Sequence, residues 1–187
     1  FNTMKRMQRL LLISVCLILY IQLSAQILTG LSAKWNDDFS EWILLTDDED
    51  IEGELNMTWR MQNDWSSFDY RIEDASGNIK MKWRDNPSEW ETRGDNEIIT
   101  ARTRWKDDPR EWRVMDNDMT FNLKSKWGNN PNTWFITNKE YGYFELYMYQ
   151  RDDFREWVII DELGDDVSLA MKMTMIFLVM NNSTPKF

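Results

Sequence analysis

Apolar and polar residues alternate with a period of two along much of this chain. In the run 119–127, Met119, Phe121 and Leu123 fall on one face and polar residues fall on the other. This period is typical of an antiparallel strand with one buried and one solvated face, whereas a helix needs apolar residues three and four apart. Similar runs over 31–35, 55–59, 79–83 and 99–105 predict further strands of the same kind.

The strands belong to an internal repeat in which two aromatic residues bracket a polar segment, as in RWKDDPREW at 104–112. The first residues of these pairs, the leading aromatics, are Trp35, Trp59, Trp83, Trp105, Trp127 and Tyr149. Their partners, the second aromatics, are Trp42, Phe68, Trp90, Trp112, Trp134 and Trp157. The leading aromatics recur every 22–24 residues. A near-constant period, with insertions confined to polar loops, predicts about six β-hairpin repeats.

The polar segments carry turn residues. Asp108-Pro109 has the residue order that a type I turn prefers. A four-residue loop would place Trp105 opposite Trp112 and Lys106 opposite Glu111. Both aromatics of a pair would then share one face of the sheet, and we expect most of the tryptophans to form its core. Trp65 lies outside the repeat register. It is therefore our candidate for an exposed aromatic that contacts a ligand.

These patterns predict an all-β fold, an antiparallel meander of six hairpins within residues 26–162. Beyond Gly164-Asp165-Asp166, alternation from Val167 to Met180 predicts a further strand, so that residues 163–187 add a C-terminal strand and tail to the same domain. An odd number of strands cannot close an antiparallel barrel. We therefore expect an open or curled sheet, with a closed up-and-down barrel as the alternative.

The N-terminus has the residue order of a secretory signal peptide. The basic residues Lys5, Arg6 and Arg9 precede the apolar run Leu10–Leu19, and Ala25 supplies a small residue before Gln26. Residues 1–25 are therefore predicted to be a cleaved leader, with a retained membrane anchor as the alternative. The mature chain would be secreted, periplasmic or on the cell surface. The only cysteine, Cys16, would leave with the leader.

Charge and composition narrow the possible functions. The chain has 22 basic and 32 acidic residues and no histidine, and loss of three basic residues with the leader takes the net charge from −10 to −13. Such a chain repels nucleic acid, and the missing histidine removes the commonest general base and metal ligand. Acidic turns such as 47–50 suggest at most calcium. No EF-hand spacing is present, so we predict no cofactor, no metal site and no enzymatic activity.

The sequence thus predicts an exported, non-enzymatic β-repeat protein with a structural or binding role at the cell surface or in the periplasm, where its partner would be a protein or a glycan. One alternative is a carbohydrate-binding module that uses exposed Trp rings. Another is an outer-membrane β-barrel. The short return strands argue against the second alternative, because a strand that spans a bilayer needs about 9–11 residues.

Overall fold

A closed barrel of twelve antiparallel strands surrounds one α-helix in the computed structural model, which describes residues 27–94, 96–128 and 130–186. A short 3-10 helix, Arg60–Gln62, lies in the connection that follows the third strand. The strands are β1 (Leu28–Ala33), β2 (Glu41–Thr46), β3 (Glu52–Trp59), β4 (Asp64–Ile72), β5 (Ala75–Met81), β6 (Glu89–Gly94), β7 (Glu97–Trp105), β8 (Asp108–Met115), β9 (Thr120–Trp127), β10 (Asn130–Ile136), β11 (Gly142–Met148) and β12 (Glu156–Leu163). The helix, α1, spans Leu169–Ser183, and the predicted leader lies outside the described residues.

The predicted all-β meander of six hairpins is confirmed, since each strand pairs with its neighbours in the chain. The open sheet is wrong and the closed barrel is right. β1 meets β12 in an antiparallel pair that places Leu31 opposite Trp157. Closure is possible because the thirteenth strand does not exist, which leaves an even number.

The predicted C-terminal strand from Val167 to Met180 is wrong, because this segment forms α1. As a strand it would have exposed Ala170, Lys172 and Thr174, yet all three are buried. Leu, Met, Ala and Lys, which dominate the segment, are strong helix formers, and the Ser168 hydroxyl caps the helix by accepting the Met171 N–H at 3.2 Å. A helix that is apolar on all sides belongs in a core, which explains why alternation was misleading here.

The barrel interior combines the inward side chains of the strands with α1. The helix packs against β5, β6, β7, β8 and β10. Phe177 lies between two second aromatics, with its ring centroid 4.6 Å from that of Trp90 and 5.2 Å from that of Phe68. The predicted alternation of β9 is confirmed, since Phe121, Leu123 and Ser125 are buried. The core therefore runs along the barrel axis, on all sides of one helix.

A buried ion pair joins the helix to the barrel wall. Lys172 Nζ lies 2.8 Å from Asp161 Oδ2, and the two side chains are 2% and 0% exposed. Asp161 also accepts the Leu28 N–H at 3.2 Å, so that one carboxylate connects α1, β12 and β1. Two hydroxyls, those of Thr174 and Thr92, meet at 2.6 Å further along the helix. These polar contacts fix the depth and rotation of α1, which apolar packing alone specifies poorly.

The up-and-down topology sorts the strand connections into two rims. The connections β1–β2, β3–β4, β5–β6, β7–β8, β9–β10 and β11–β12 form one rim, and those that follow the even-numbered strands form the other. In the described part of the second rim, Lys139 is the only basic residue, and we call it the acidic rim. Its acidic residues are Asp47, Asp48, Glu49, Asp50, Glu73, Asp74, Asp116, Asp118, Glu140, Asp165 and Asp166. The charge of the molecule is therefore concentrated at one end.

Replacing one member of the buried pair tests this account of the core. Lys172→Met leaves Asp161 without its cation, and we expect it to lower the free energy of unfolding by about 3–5 kcal/mol. The double variant Lys172→Met with Asp161→Asn removes both charges and keeps an acceptor for Leu28, so it should recover much of that loss. Urea unfolding measures both variants. A cost below about 1 kcal/mol for the single variant would contradict the assigned role.

Candidate functional site: an aromatic rim

All six repeats begin their return strand with the same small turn. An Asp or Asn side-chain oxygen accepts the backbone N–H two residues further on, at 2.8–3.1 Å. These residues are Asp38, Asp64, Asn86, Asp108, Asn130 and Asp153. Short polar side chains favour this conformation because they satisfy the local backbone donors themselves. The repeat therefore encodes a fixed turn geometry at one rim of the barrel.

The second aromatics follow this turn and point into the barrel. Five of them are tryptophans whose indole Nε1 donates to the backbone carbonyl three residues earlier, at 2.7–3.0 Å. The accepting residues are Phe39, Pro87, Pro109, Pro131 and Phe154. The polar atom of each buried indole is thus satisfied, and the remainder of the ring packs in the core. For these residues the predicted core role is confirmed.

The leading aromatics lie elsewhere. All six are 49–65% exposed and form a ring around the first rim, which we call the aromatic rim. The predicted pairing of Trp105 with Trp112 across the hairpin is wrong, and only the second aromatic is buried. Trp112 lies opposite Thr103 and Trp105 lies opposite Asp108, with a register shift between the two pairs.

The position of the turn explains this difference. The connection between β7 and β8 is Lys106-Asp107, and Asp107 adopts a left-handed conformation with φ of 59°, which Asp tolerates better than most residues. Pro109 lies at the start of β8 and not in the turn. The predicted pair of Lys106 with Glu111 is also wrong, because Arg104 Nη1 binds Glu111 Oε1 at 2.7 Å.

Three leading tryptophans are held by a glutamate of the return strand. The indole Nε1 donates to a carboxylate oxygen over 2.6 Å in Trp35–Glu41, 3.0 Å in Trp83–Glu89 and 3.1 Å in Trp105–Glu111. In each case the preceding basic residue places its cation 5.4–5.9 Å from the ring centroid. Each ring is therefore fixed in orientation while much of its surface faces water.

The electrostatics of the aromatic rim come from carboxylates paired with local donors. The indole of Trp35, followed by the charge of Arg60, lowers the pKa of Glu41 below its ordinary value. Hydrogen bonds from Arg110 lower the pKa of Asp108 to about 2, and those from Arg155 lower that of Asp153 to about 2. These carboxylates stay ionised over the whole physiological range.

Polar contacts also link neighbouring repeats along the aromatic rim. Arg60 binds Glu41 at 2.5 Å and Asp38 at 3.3 Å. Further links are Arg110 Nη1 to Gly128 O at 2.9 Å, Asn132 Nδ2 to Asp152 Oδ1 at 3.3 Å and Arg155 Nη1 to Asn36 Oδ1 at 3.4 Å. The last of these joins the sixth repeat to the first. The loops are therefore braced against one another, and the rim forms a preorganised surface.

Trp65 proves to be part of the repeat. It follows the turn residue Asp64, at the position that Pro87 and Pro109 occupy in other repeats. Its ring is half-buried against the core, and Lys186 Nζ lies 5.3 Å from the ring centroid. Phe39 and Phe154 occupy the same position in the first and sixth repeats. Trp65 is thus less exposed than any leading aromatic, and its role as a ligand contact stays a prediction.

Two open clefts lie where aromatic residues replace proline. The larger, of about 610 Å³, lies between the β1–β2 and β11–β12 connections, and the other, of about 460 Å³, lies between the β1–β2 connection and the β3–β4 turn. Asp37, Phe39 and Pro185 line both clefts. They therefore form one groove across the sixth, first and second repeats, over the C-terminal end of the chain.

No protein-family model, curated protein or solved structure matches the chain. In the described ranges, no three His, Cys, Asp or Glu side chains are grouped so that they could hold a metal ion. Within the same ranges, no helix has the length and apolar character needed to cross a membrane. The aromatic rim is therefore the candidate functional site.

Alanine variants within one repeat test the division between core and rim. Trp112→Ala removes a fully buried ring, so we expect the free energy of unfolding to fall by about 3–5 kcal/mol. Trp105→Ala removes a ring of the same type that is mostly exposed, and its effect should stay within about 0.5 kcal/mol. Chemical denaturation measures both. Equal costs at the two positions would show that the assignment is wrong.

A titration tests the indole contact of Glu41. Trp35→Phe keeps an aromatic ring but removes the donor, so the pKa of Glu41 should rise towards its ordinary value. Because this pKa is lowered in the folded state, the contact stabilises the fold above the unfolded pKa, and that contribution is lost as pH falls through the folded pKa. NMR titration of the carboxyl carbon measures the shift. Trp127→Phe is the matched control and should leave Glu41 unchanged.

Proposed function

We propose that the protein is an exported, non-enzymatic binding protein of the cell surface or periplasm, and that the aromatic rim is its binding surface. The observation that carries the proposal is the exposure of all six leading aromatics at one end of the barrel. Burial of aromatic surface dominates the energy of many interfaces, and exposed rings are costly to keep in water without such a use. The bracing of the rim loops supports the same role, because a rigid surface loses little entropy on binding.

The distribution of exposed apolar side chains supports this choice of surface. At the aromatic rim, the exposed large apolar residues are the leading aromatics and Met61. Ile27, Leu45 and Ile98, the other three that are exposed in the described ranges, lie towards the acidic rim and are all aliphatic. The sorting of rings to one end follows from the repeat, which places each leading aromatic at the same turn.

The outer-membrane barrel of the sequence analysis receives no support from the side chains. A barrel wall in lipid needs an apolar band on its outer face. Here the outward positions of β3, β6 and β9 include Glu54, Glu91, Arg93 and Lys124, and the inward positions are mainly apolar. This arrangement suits a wall that faces water, so we do not propose a membrane-spanning role.

Export itself is tested by the N-terminus of the natural protein. We expect the mature chain, isolated from its producing cells, to begin at Gln26 and to be recovered outside the cytoplasm. N-terminal sequencing and an intact mass measure this directly. Recovery of the chain from the cytoplasm with its first 25 residues intact would contradict export.

Binding is tested with isolated cell envelopes of the producing organism. Labelled mature protein should bind them saturably, and a variant with all six leading aromatics changed to Ser should bind at least about tenfold more weakly. The control variant, Leu45→Ser with Ile98→Ser, removes exposed apolar side chains near the other rim and should bind like the natural protein. Equal binding by all three proteins would contradict the proposed surface.

A further inference from the structure

The groove that crosses the sixth, first and second repeats is a concave part of the aromatic rim. Its floor includes the rings of Phe154, Phe39 and Trp65. The β11–β12, β1–β2 and β3–β4 connections line the groove. An exposed leading aromatic lies at or next to the start of each, in the order Tyr149, Trp35 and Trp59. The larger cleft alone has a volume of about 610 Å³, within the range of small-molecule sites. This part of the rim therefore combines a concave surface with nearby exposed rings.

The walls of the groove are polar, and the arginines in them are paired with carboxylates. Arg155 binds Asp153 at 2.7 Å, Arg60 binds Asp38 at 3.3 Å, and Arg151 lies 3.7 Å from Asp152. Each arginine that lines the groove thus has a carboxylate partner within it. The carboxylates and the net charge of −10 would repel an anionic ligand. The three arginines would not offset this repulsion, because each already binds a carboxylate. The groove therefore favours a ligand that is neutral and rich in hydrogen-bonding groups.

The spacing of the rings suits a chain of linked sugar rings. Neighbouring leading aromatics stand two strands apart, which corresponds to about 9–10 Å across the sheet. Two linked pyranose rings span a similar distance. A pyranose with equatorial substituents has an apolar C–H face that packs on an aromatic ring, while its hydroxyls bond to planar carboxylate, amide and guanidinium groups. A purely apolar protein partner fits less well, because ion pairs separate the rings.

We propose that this groove binds a neutral glycan of equatorially substituted pyranoses, such as β-linked glucose or N-acetylglucosamine. Trp35 and Tyr149 supply stacking surfaces, and Asp37 and Asp152 supply acceptors for the hydroxyls. This inference rests on the proposed binding role of the aromatic rim and adds the ligand class and the location.

The test is a titration of the mature protein with cellohexaose, chitohexaose and, as the anionic probe, a hexamer of galacturonic acid. Heat release and Trp fluorescence are both measured. Saturable binding of at least one neutral hexamer is expected, and Trp35→Ala with Tyr149→Ala should weaken it by about tenfold or more. The comparison pair, Trp105→Ala with Trp127→Ala, removes two leading aromatics from the other side of the rim and should weaken binding of the hexamer clearly less than the groove pair does.

A second variant tests the polar wall without changing any ring. Asp37→Ala with Asp152→Gly removes two exposed carboxylates and suits the left-handed φ of 62° at position 152, and we expect it to weaken the same neutral hexamer several-fold with no change in melting temperature. Unchanged binding by this variant would overturn the proposed role of the two acceptors. Any variant that melts earlier than the natural protein is replaced by the Phe or Asn substitution at the same position.

The remaining outcomes separate the inference from the proposed function. Equal weakening by both pairs of aromatic substitutions would overturn the assignment to the groove, and a preference for the anionic hexamer would overturn the neutral class. If no hexamer binds while envelopes still bind through the rim, the glycan inference fails and the binding role stands, with a peptide or protein as the partner. If envelopes do not bind through the rim either, both fail.

Discussion

The barrel has to be filled, and this requirement governs the rest of the structure. Eight strands enclose little more than their own inward side chains, and twelve enclose a wider space. α1 occupies that space with 15 residues, a length of about 22 Å along the barrel axis. It also explains the apolar character of the C-terminal segment, which no surface strand would need. The buried pair of Lys172 with Asp161 then determines how the helix sits.

Filling the barrel from within has a consequence for the aromatic residues. Each repeat buries its second aromatic inside the barrel that α1 fills. The leading aromatics lie beyond the last regular pairs of the strands, outside the barrel interior. The same 22-residue unit therefore produces both a core and an exposed ring of aromatics, and the division follows from position relative to the rim.

Much of the fold could be predicted from the sequence. The alternation in runs such as 119–127 and the fixed repeat identified the strands, because both reflect one local geometry. Closure, the helix and the exposure of Trp105 could not be predicted. Alternation in the segment 167–180 fits a strand and a fully buried helix equally well until the surroundings are known. The register at Trp105 depends on the left-handed Asp107, and a plain count of residues gives the wrong partner.

The candidate site was partly visible in the same pattern. Trp65 is predicted as a ligand contact because it lies outside the register of the Trp59–Phe68 pair, although the turn at Asp64 gives it the same position as Pro87. The signal that sequence reasoning missed is the replacement of Pro by an aromatic residue in three repeats. Those repeats are adjacent only because the barrel closes, so the groove between them has no counterpart in the linear order.

The most direct test of this account is the solvent accessibility of each tryptophan, measured by NMR with a soluble paramagnetic gadolinium chelate. Because the leading aromatics are exposed, the indole C–H signals of their tryptophans should be strongly attenuated. The signals of the buried tryptophans among the second aromatics should stay unchanged. Similar attenuation in both groups would contradict the division between core and rim on which the proposed binding surface depends.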